Sequence, residues 1–191
     1  MIYRFLFVGY TNDIKGVKCT RNEDYYVTLS HEDNMVFMYV ESNKKAVNPD
    51  VLAEGDFIPY PDGNKWERAM EIFHYSVPIS SEQWNRKLQN KSPYITLNRV
   101  KPEKAASYIF YHYQYQEERT GDGDRYGIIY LFRDILIFYH ERPTEKETEY
   151  IEGLLKTNHS PMDRWSEVMN EHFADRWHEI ENIETTNCIK F

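Results

Sequence analysis

Residues Met35 to Val40 are apolar at every position. A strand there sends Met35, Phe37 and Tyr39 to one face and Val36, Met38 and Val40 to the other. A sheet wet on one side alternates apolar with polar residues, so this strand needs cover on both faces. Residues 2–10 and 25–31 have the same Tyr-, Phe- and Val-rich character, and HEDN before Met35 supplies a hairpin turn. A hundred residues on, 107–117, 126–132 and 135–141 repeat the pattern, with TGDGD and Arg133-Asp134 as turns.

Helical spacing follows each set of strands. Trp66, Met70 and Phe73 form one stripe, and Ser80 with Gln83 caps a short helix carrying Trp84 and Leu88. In the second set, Thr144 and Glu147 make a capping box before a short helix. Ser160, Pro161 and Asp163 then start a long helix over 161–184, with Trp165, Met169, Phe173, Trp177 and Ile180 on its apolar stripe. Residues 43–65 and 89–104 read as loops.

The order recurs at a near-constant offset. Tyr3, Phe5 and Tyr10 fall on Tyr108, Phe110 and Tyr115. Tyr26 falls on Tyr126, Tyr39 on Tyr139, Glu41 on Glu141, and WERAM (66–70) on WSEVM (165–169). The expectation is an α+β chain built as a tandem duplication of a β-β-β-α unit, over 1–91 and 92–191. Its antiparallel sheets would pack face to face as a pseudo-dimeric α+β barrel or sandwich with helices outside.

DILIFYHE and then PMDRWSEVM resemble the L-rhamnose mutarotase family and its dimeric α+β-barrel relatives, in which a strand of the type LFAYLE leads into a helix carrying RW-x-x-x-M. The resemblance covers about 126–173, with a fainter echo at 26–70. It implies a sheet-lined cavity with Trp165 in its wall, suited to stacking on a pyranose face. That family carries its proton-transferring Tyr and His on a helix between its first and second strands. Here the corresponding connections, TNDIKGVKCTRNED and ERTGDGDR, have no helical pattern, so no catalytic residue is carried across.

Composition narrows the function classes. A net charge of −8 argues against general nucleic-acid binding, which relies on Lys and Arg at phosphates. No apolar run reaches the length of a membrane span, and Cys19 and Cys188 lack metal or disulfide spacing, which points to a reduced, cytoplasmic setting. Thirty aromatics, 16 of them Tyr, exceed what a core needs, so some Tyr hydroxyls should meet water or a ligand.

Tyr39 and Glu41, and likewise Tyr139 and Glu141, share a strand face. His112 and His140 stand in the second copy where the first has Phe7 and Val40, an asymmetry that one working site would leave. With Trp165 these residues form the predicted site, an aromatic and acidic pocket for a sugar- or nucleotide-like ligand with little or no catalysis. A second reading takes the twelve acids against five bases over 141–184 as the surface of an antagonist or immunity-type factor with a basic protein partner. A third is a sugar mutarotase. Glu171, Asp175 and His178 share a helical face but lack a second ligand segment, and GDGDR lacks the later ligands of a calcium loop, so neither a metal nor a cofactor is implied.

Overall fold

The computed structural model describes residues 1–20, 24–88, 90–118, 123–146 and 164–186. The chain is a strand-rich α+β protein. The N-terminal half carries β1 (Tyr3–Thr11), β2 (Lys18–Cys19), β3 (Tyr25–Glu32), β4 (Met35–Ser42), β5 (Ala53–Glu54), β6 (Phe57–Ile58), β7 (Trp66–Arg68), β8 (Met70–His74) and α1 (Ser81–Trp84). The C-terminal half carries β9 (Ser92–Arg99), α2 (Ala105–Glu118), β10 (Ile128–Phe132), β11 (Ile135–Arg142), α3 (Trp165–Asn170), β12 (His178–Glu179) and β13 (Glu181–Thr186).

Two antiparallel sheets result. In the first, β4 lies between β3 and β1; in the second, β11 lies between β10 and β9. The strands at the seams bend from one sheet to the other. β7 pairs with β1, Ala69 continues that ladder to the Leu6 carbonyl, and β8 then pairs with β10. At the opposite seam β12 pairs with β9, Ile180 bonds the Ile95 carbonyl, and β13 pairs with β3. Following the ladders from β1 through β4, β3, β13, β12, β9, β11, β10, β8 and β7 returns to β1. Closure of this kind leaves no free edge along the circuit.

The faces sort as the alternation along β4 requires. Phe37 and Tyr39 point inward, into a core that also takes Leu6, Ile95, Ile128, Ile137 and Tyr139 from the other strands. Val36, Met38 and Val40 point outward and pack with Val17, Leu52 and Phe57 from the segments between strands. On the second sheet the outward residues pack beneath α2 and α3, around Phe73, Tyr108, Leu136 and Met169.

Several sequence expectations are corrected. Residues 107–117 are not a strand but most of α2. The strand expected there is β9, within the stretch read as the 89–104 loop. The long helix over 161–184 is helical only at Trp165–Asn170 among the described residues, and β12 and β13 take its C-terminal part. The stripe Trp66, Met70 and Phe73 belongs to β7 and β8 rather than to a helix. The Ser80 cap holds, its side chain accepting from the Gln83 amide at the start of α1. The short helix expected after Thr144 falls largely on 147–163, outside the described residues.

Register also corrects the pairing of tryptophans. Tyr39 faces Thr28 and Leu6, and Tyr139 faces Ile128 and Ile95. Trp66 faces Gly9, three steps beyond Leu6. The residue in that position on the other ladder is Trp177, one before the His178–Leu97 pair, and not Trp165, which opens α3.

A closed ladder should make the halves unfold together. Leu6→Ala, which empties a fully buried site in the shared core, should cost about 2–5 kcal/mol. Urea unfolding followed by tryptophan fluorescence and by far-ultraviolet dichroism should give coincident transitions before and after the substitution. Two separated transitions would mean that the halves fold independently.

Candidate functional site

The seven residues singled out in the sequence fall in two places. Tyr39, Glu41, Tyr139 and Glu141 lie inside the barrel with no exposed surface. The two tyrosine rings stack 3.6 Å apart at 13°. Each hydroxyl donates to the carboxylate two residues on, Tyr39 to Glu41 at 2.8 Å and Tyr139 to Glu141 at 2.7 Å. Side chains two apart on a strand share a face, which is why the pairs meet.

Both carboxylates are taken by one side chain. Arg86 donates to Glu41 through Nη1 and Nη2, each at 3.1 Å, and through Nε to Glu141 at 2.9 Å. Its guanidinium lies over Tyr26 at 3.9 Å and Tyr126 at 4.7 Å. Lys91 adds a second cation 3.5 Å from Glu141, and Arg4 donates to the Tyr39 hydroxyl at 2.8 Å. Burial alone would push Glu41 up, but Arg86 and then Arg4 hold its carboxyl below the usual range. The arrangement is a satisfied ionic centre, of the sort that is costly to break from one side.

His112, His140 and Trp165 lie elsewhere, in a cleft of about 460 Å³ on the outer face of the second sheet, under α2 and α3. Its floor is strand residues, Thr96 on β9 with Phe138 and His140 on β11. One wall is Tyr108 and His112, which meet because they are four apart on α2. The other is Trp165 and, beyond α3, Phe173 and Trp177. The His112 ring lies 4.0 Å from Tyr108 and 4.9 Å from Trp165. His140 is sandwiched between Tyr94 at 3.8 Å and Phe138 at 4.0 Å.

Both imidazoles are neutral at physiological pH. Burial, with a smaller push from His172, lowers His112 to about 4, although the Tyr108 carbonyl supports its charged form. Burial and then the Arg142 cation lower His140 to about 3. The 2.9 Å contact between His112 Nδ1 and the Tyr108 carbonyl requires the proton on Nδ1, since a carbonyl only accepts. Nε2 of His112 is therefore an acceptor. Nε2 of His140 is buried without a hydrogen-bond partner among the described residues. A buried polar atom left in that state is costly.

Sequence reasoning missed Tyr108 and Trp177 as cleft residues and Arg86 as the partner of the glutamates. The spacing of Tyr108, His112 and Tyr115 at four and three residues was a helical signal for the first. Of the weighed metal ligands, Asp175 and His178 lie beyond α3, and His178 meets Glu32. Among the described residues no group of three or more His, Cys, Asp and Glu is placed to hold a metal ion, and no helix is long and apolar enough to cross a membrane.

The two places respond differently to acid. Because the folded-state values of His112 and His140 are lowered, their contribution to stability is complete above about pH 6.5 and declines as the pH falls toward 4. Glu41 is lowered too, but as an acid, so its contribution persists until the pH drops below about 4.5. Urea unfolding from pH 7.5 to 4 should show stability falling first between 6.5 and 4.5, by up to about 1.4 kcal/mol per pH unit for each histidine. That early fall should shrink in His112→Phe. Arg86→Met, which strands two buried carboxylates, should cost about 3–5 kcal/mol at pH 7, read by the same titration. Comparison of the chain with family models, with curated proteins and with solved structures found no match in any of the three.

Proposed function

We propose that the protein binds a small hydroxylated ring compound, sugar-like in chemistry, in the cleft between the second sheet and helices α2 and α3. The observation that carries this reading is a cleft walled by Tyr108, Trp165 and Trp177 with the neutral imidazoles of His112 and His140 in its lining. Indole and phenol rings take the apolar face of a ring, while neutral imidazoles exchange hydrogen bonds with its hydroxyls. The acidic pair Glu41 and Glu141 serves the barrel interior, since Arg86 already occupies it.

The chain is also proposed to carry one folding unit twice. Supporting this, each sheet sets its hairpin in the same register, and Asp33 and Arg133 open the two turns at φ 50° and 57°. The closing strands even bulge at matching steps. Ile72 is skipped on β8 between the partners of Ile129 and Tyr130, and Ile183 is skipped on β13 between those of Leu29 and Ser30.

A second reading, sugar mutarotation, is favoured by one feature. In the C-terminal half a helix does stand between the first strand, β9, and the second, β10, where the mutarotase family carries its proton-transferring Tyr and His. That helix is α2, and it places Tyr108 and His112 side by side in the cleft. A neutral His112 with Nε2 open can take a proton from a hydroxyl, and an adjacent donor can return one.

Thermal shift against hexoses and their methyl glycosides tests the binding reading. A ligand at a hundred times its Kd should stabilise the protein by about 2.7 kcal/mol, and silence across the panel would instead favour an antagonist of a basic protein. For mutarotation, polarimetry of freshly dissolved anomers should show acceleration that drops about 10²–10⁴-fold in His112→Ala. The base form is lost only as the pH falls through about 4, so the rate should stay flat from pH 8 to 5. A decline centred near 6.5 would contradict a buried neutral base.

A further inference from the structure

The two sheets offer the same four positions outward and treat them differently. Phe7 pairs with Met38 on the first sheet as Thr96 pairs with Phe138 on the second, and Phe5 pairs with Val40 as Tyr94 pairs with His140. Trp66 and Trp177 complete the correspondence, each three steps beyond the residue facing the central tyrosine. On the first sheet Phe7, Met38, Val40 and Trp66 are all buried, and the cover comes from the segments between strands. Phe57 of β6 packs on the tryptophan at a tilt, its ring 4.5 Å from Trp66 at 51°, and a separate cleft of about 470 Å³ reaches Trp66 from the side of Tyr60, Asp62 and Arg133.

On the second sheet Thr96, Phe138, His140 and Trp177 line the cleft instead. Among the described residues the indole of Trp177 meets rings at steep angles, Phe173 at 5.6 Å and 78° and Phe138 at 6.4 Å and 70°. Two of the four positions have also become capable of hydrogen bonding, Thr96 where the first sheet has Phe7 and His140 where it has Val40. Apolar cover suits the first set. The second wants a cover with one apolar face and a polar edge.

We infer that the ligand of this cleft lies with its flat apolar face on Trp177, in the position Phe57 occupies on Trp66, and turns a hydroxyl-bearing edge to Thr96 and His140. The inference rests on the reading of the cleft as a binding site for a hydroxylated ring and adds to it a pose, which gives the reason a ring is taken in preference to an open-chain polyol. An open chain offers His140 a hydroxyl but has no rigid face for the indole. Trp165, whose ring already meets Tyr115 and His112 at 4.9 Å each, is wall rather than platform.

Fluorotryptophan labelling resolves the tryptophans, each assigned by its own Trp→Phe variant. A methyl hexopyranoside that gives a thermal shift should move the Trp177 resonance most and leave that of Trp66 unchanged. Trp177→Ala should weaken its binding at least tenfold, with the remaining resonances in place to report an intact fold. Hexitols of the same hydroxyl configuration should bind at least tenfold more weakly. If glycosides bind while the Trp177 resonance stays still, the pose falls and the cleft survives; if none binds, both fall. The comparison between sheets has its own arm that needs no natural ligand. In Phe57→Ala, or Phe57→Leu should the alanine variant fail to fold, the Trp66 resonance should respond to benzyl alcohol more strongly than in the wild type. No such increase in a folded Phe57 variant would overturn the equivalence of Trp66 and Trp177.

Discussion

Everything in this protein hangs on two seams where a single strand leaves one sheet and joins the other. A curled antiparallel sheet ends in unpaired amides and carbonyls, and each such edge has to be covered or paired. Here β7 continues into β8 and β12 into β13, so each half supplies the strand that the opposite sheet lacks. The inward faces then meet in one core, and the central tyrosines stack across it. That geometry forces the glutamates two residues along to converge, and like charges brought together in the interior need a cation between them. Arg86, on the connection between the halves, supplies it.

The same closure fixes where the cleft lies. Among the described residues the barrel interior is filled by tyrosine, isoleucine and a paired ionic centre, and the aromatic cleft lies on an outer face. Of the two outer faces, one is sealed by the segments carrying Val17, Leu52 and Phe57. The other is roofed by α2 and α3, which stand off the sheet and leave the aromatic cleft. The polar residues follow this division. His140 and Thr96 occupy the open face, and their counterparts Val40 and Phe7 the sealed one.

The hairpins were legible because their signal is local: runs of β-branched and aromatic residues around two-residue turns, with the inward and outward alternation of β4 obeyed side chain by side chain. The elements that joined them were less so. YIFYHYQY reads as a strand from aromatic content, yet its helix is set by Tyr108, His112 and Tyr115 packing on the sheet, with Pro102 starting the turn before it. Tertiary packing outweighs β-propensity at such a site. Ser92 to Arg99 hid for the opposite reason, since its clean alternation, with Ile95 and Leu97 inward, sits among charged residues and a proline. Trp165, Met169, Phe173 and Trp177 do face one cluster, as a helical stripe would, but the chain reaches it through a helix, a turn and a strand. Of the site, the histidines and Trp165 could be found from composition and asymmetry. Arg86 could not, because its partners are 45 and 55 residues away in sequence.

An assembly of identical subunits must treat equivalent surfaces alike: whatever opens one opens the other, and the stability lost is lost twice. A single chain is free of that bond. With Phe57 closing over Trp66, the first sheet behaves as a conventional core layer and can contribute fully to holding the barrel shut. The second sheet is thereby released to carry a half-buried indole, Trp177, and an imidazole, His140, whose Nε2 has no partner among the described residues.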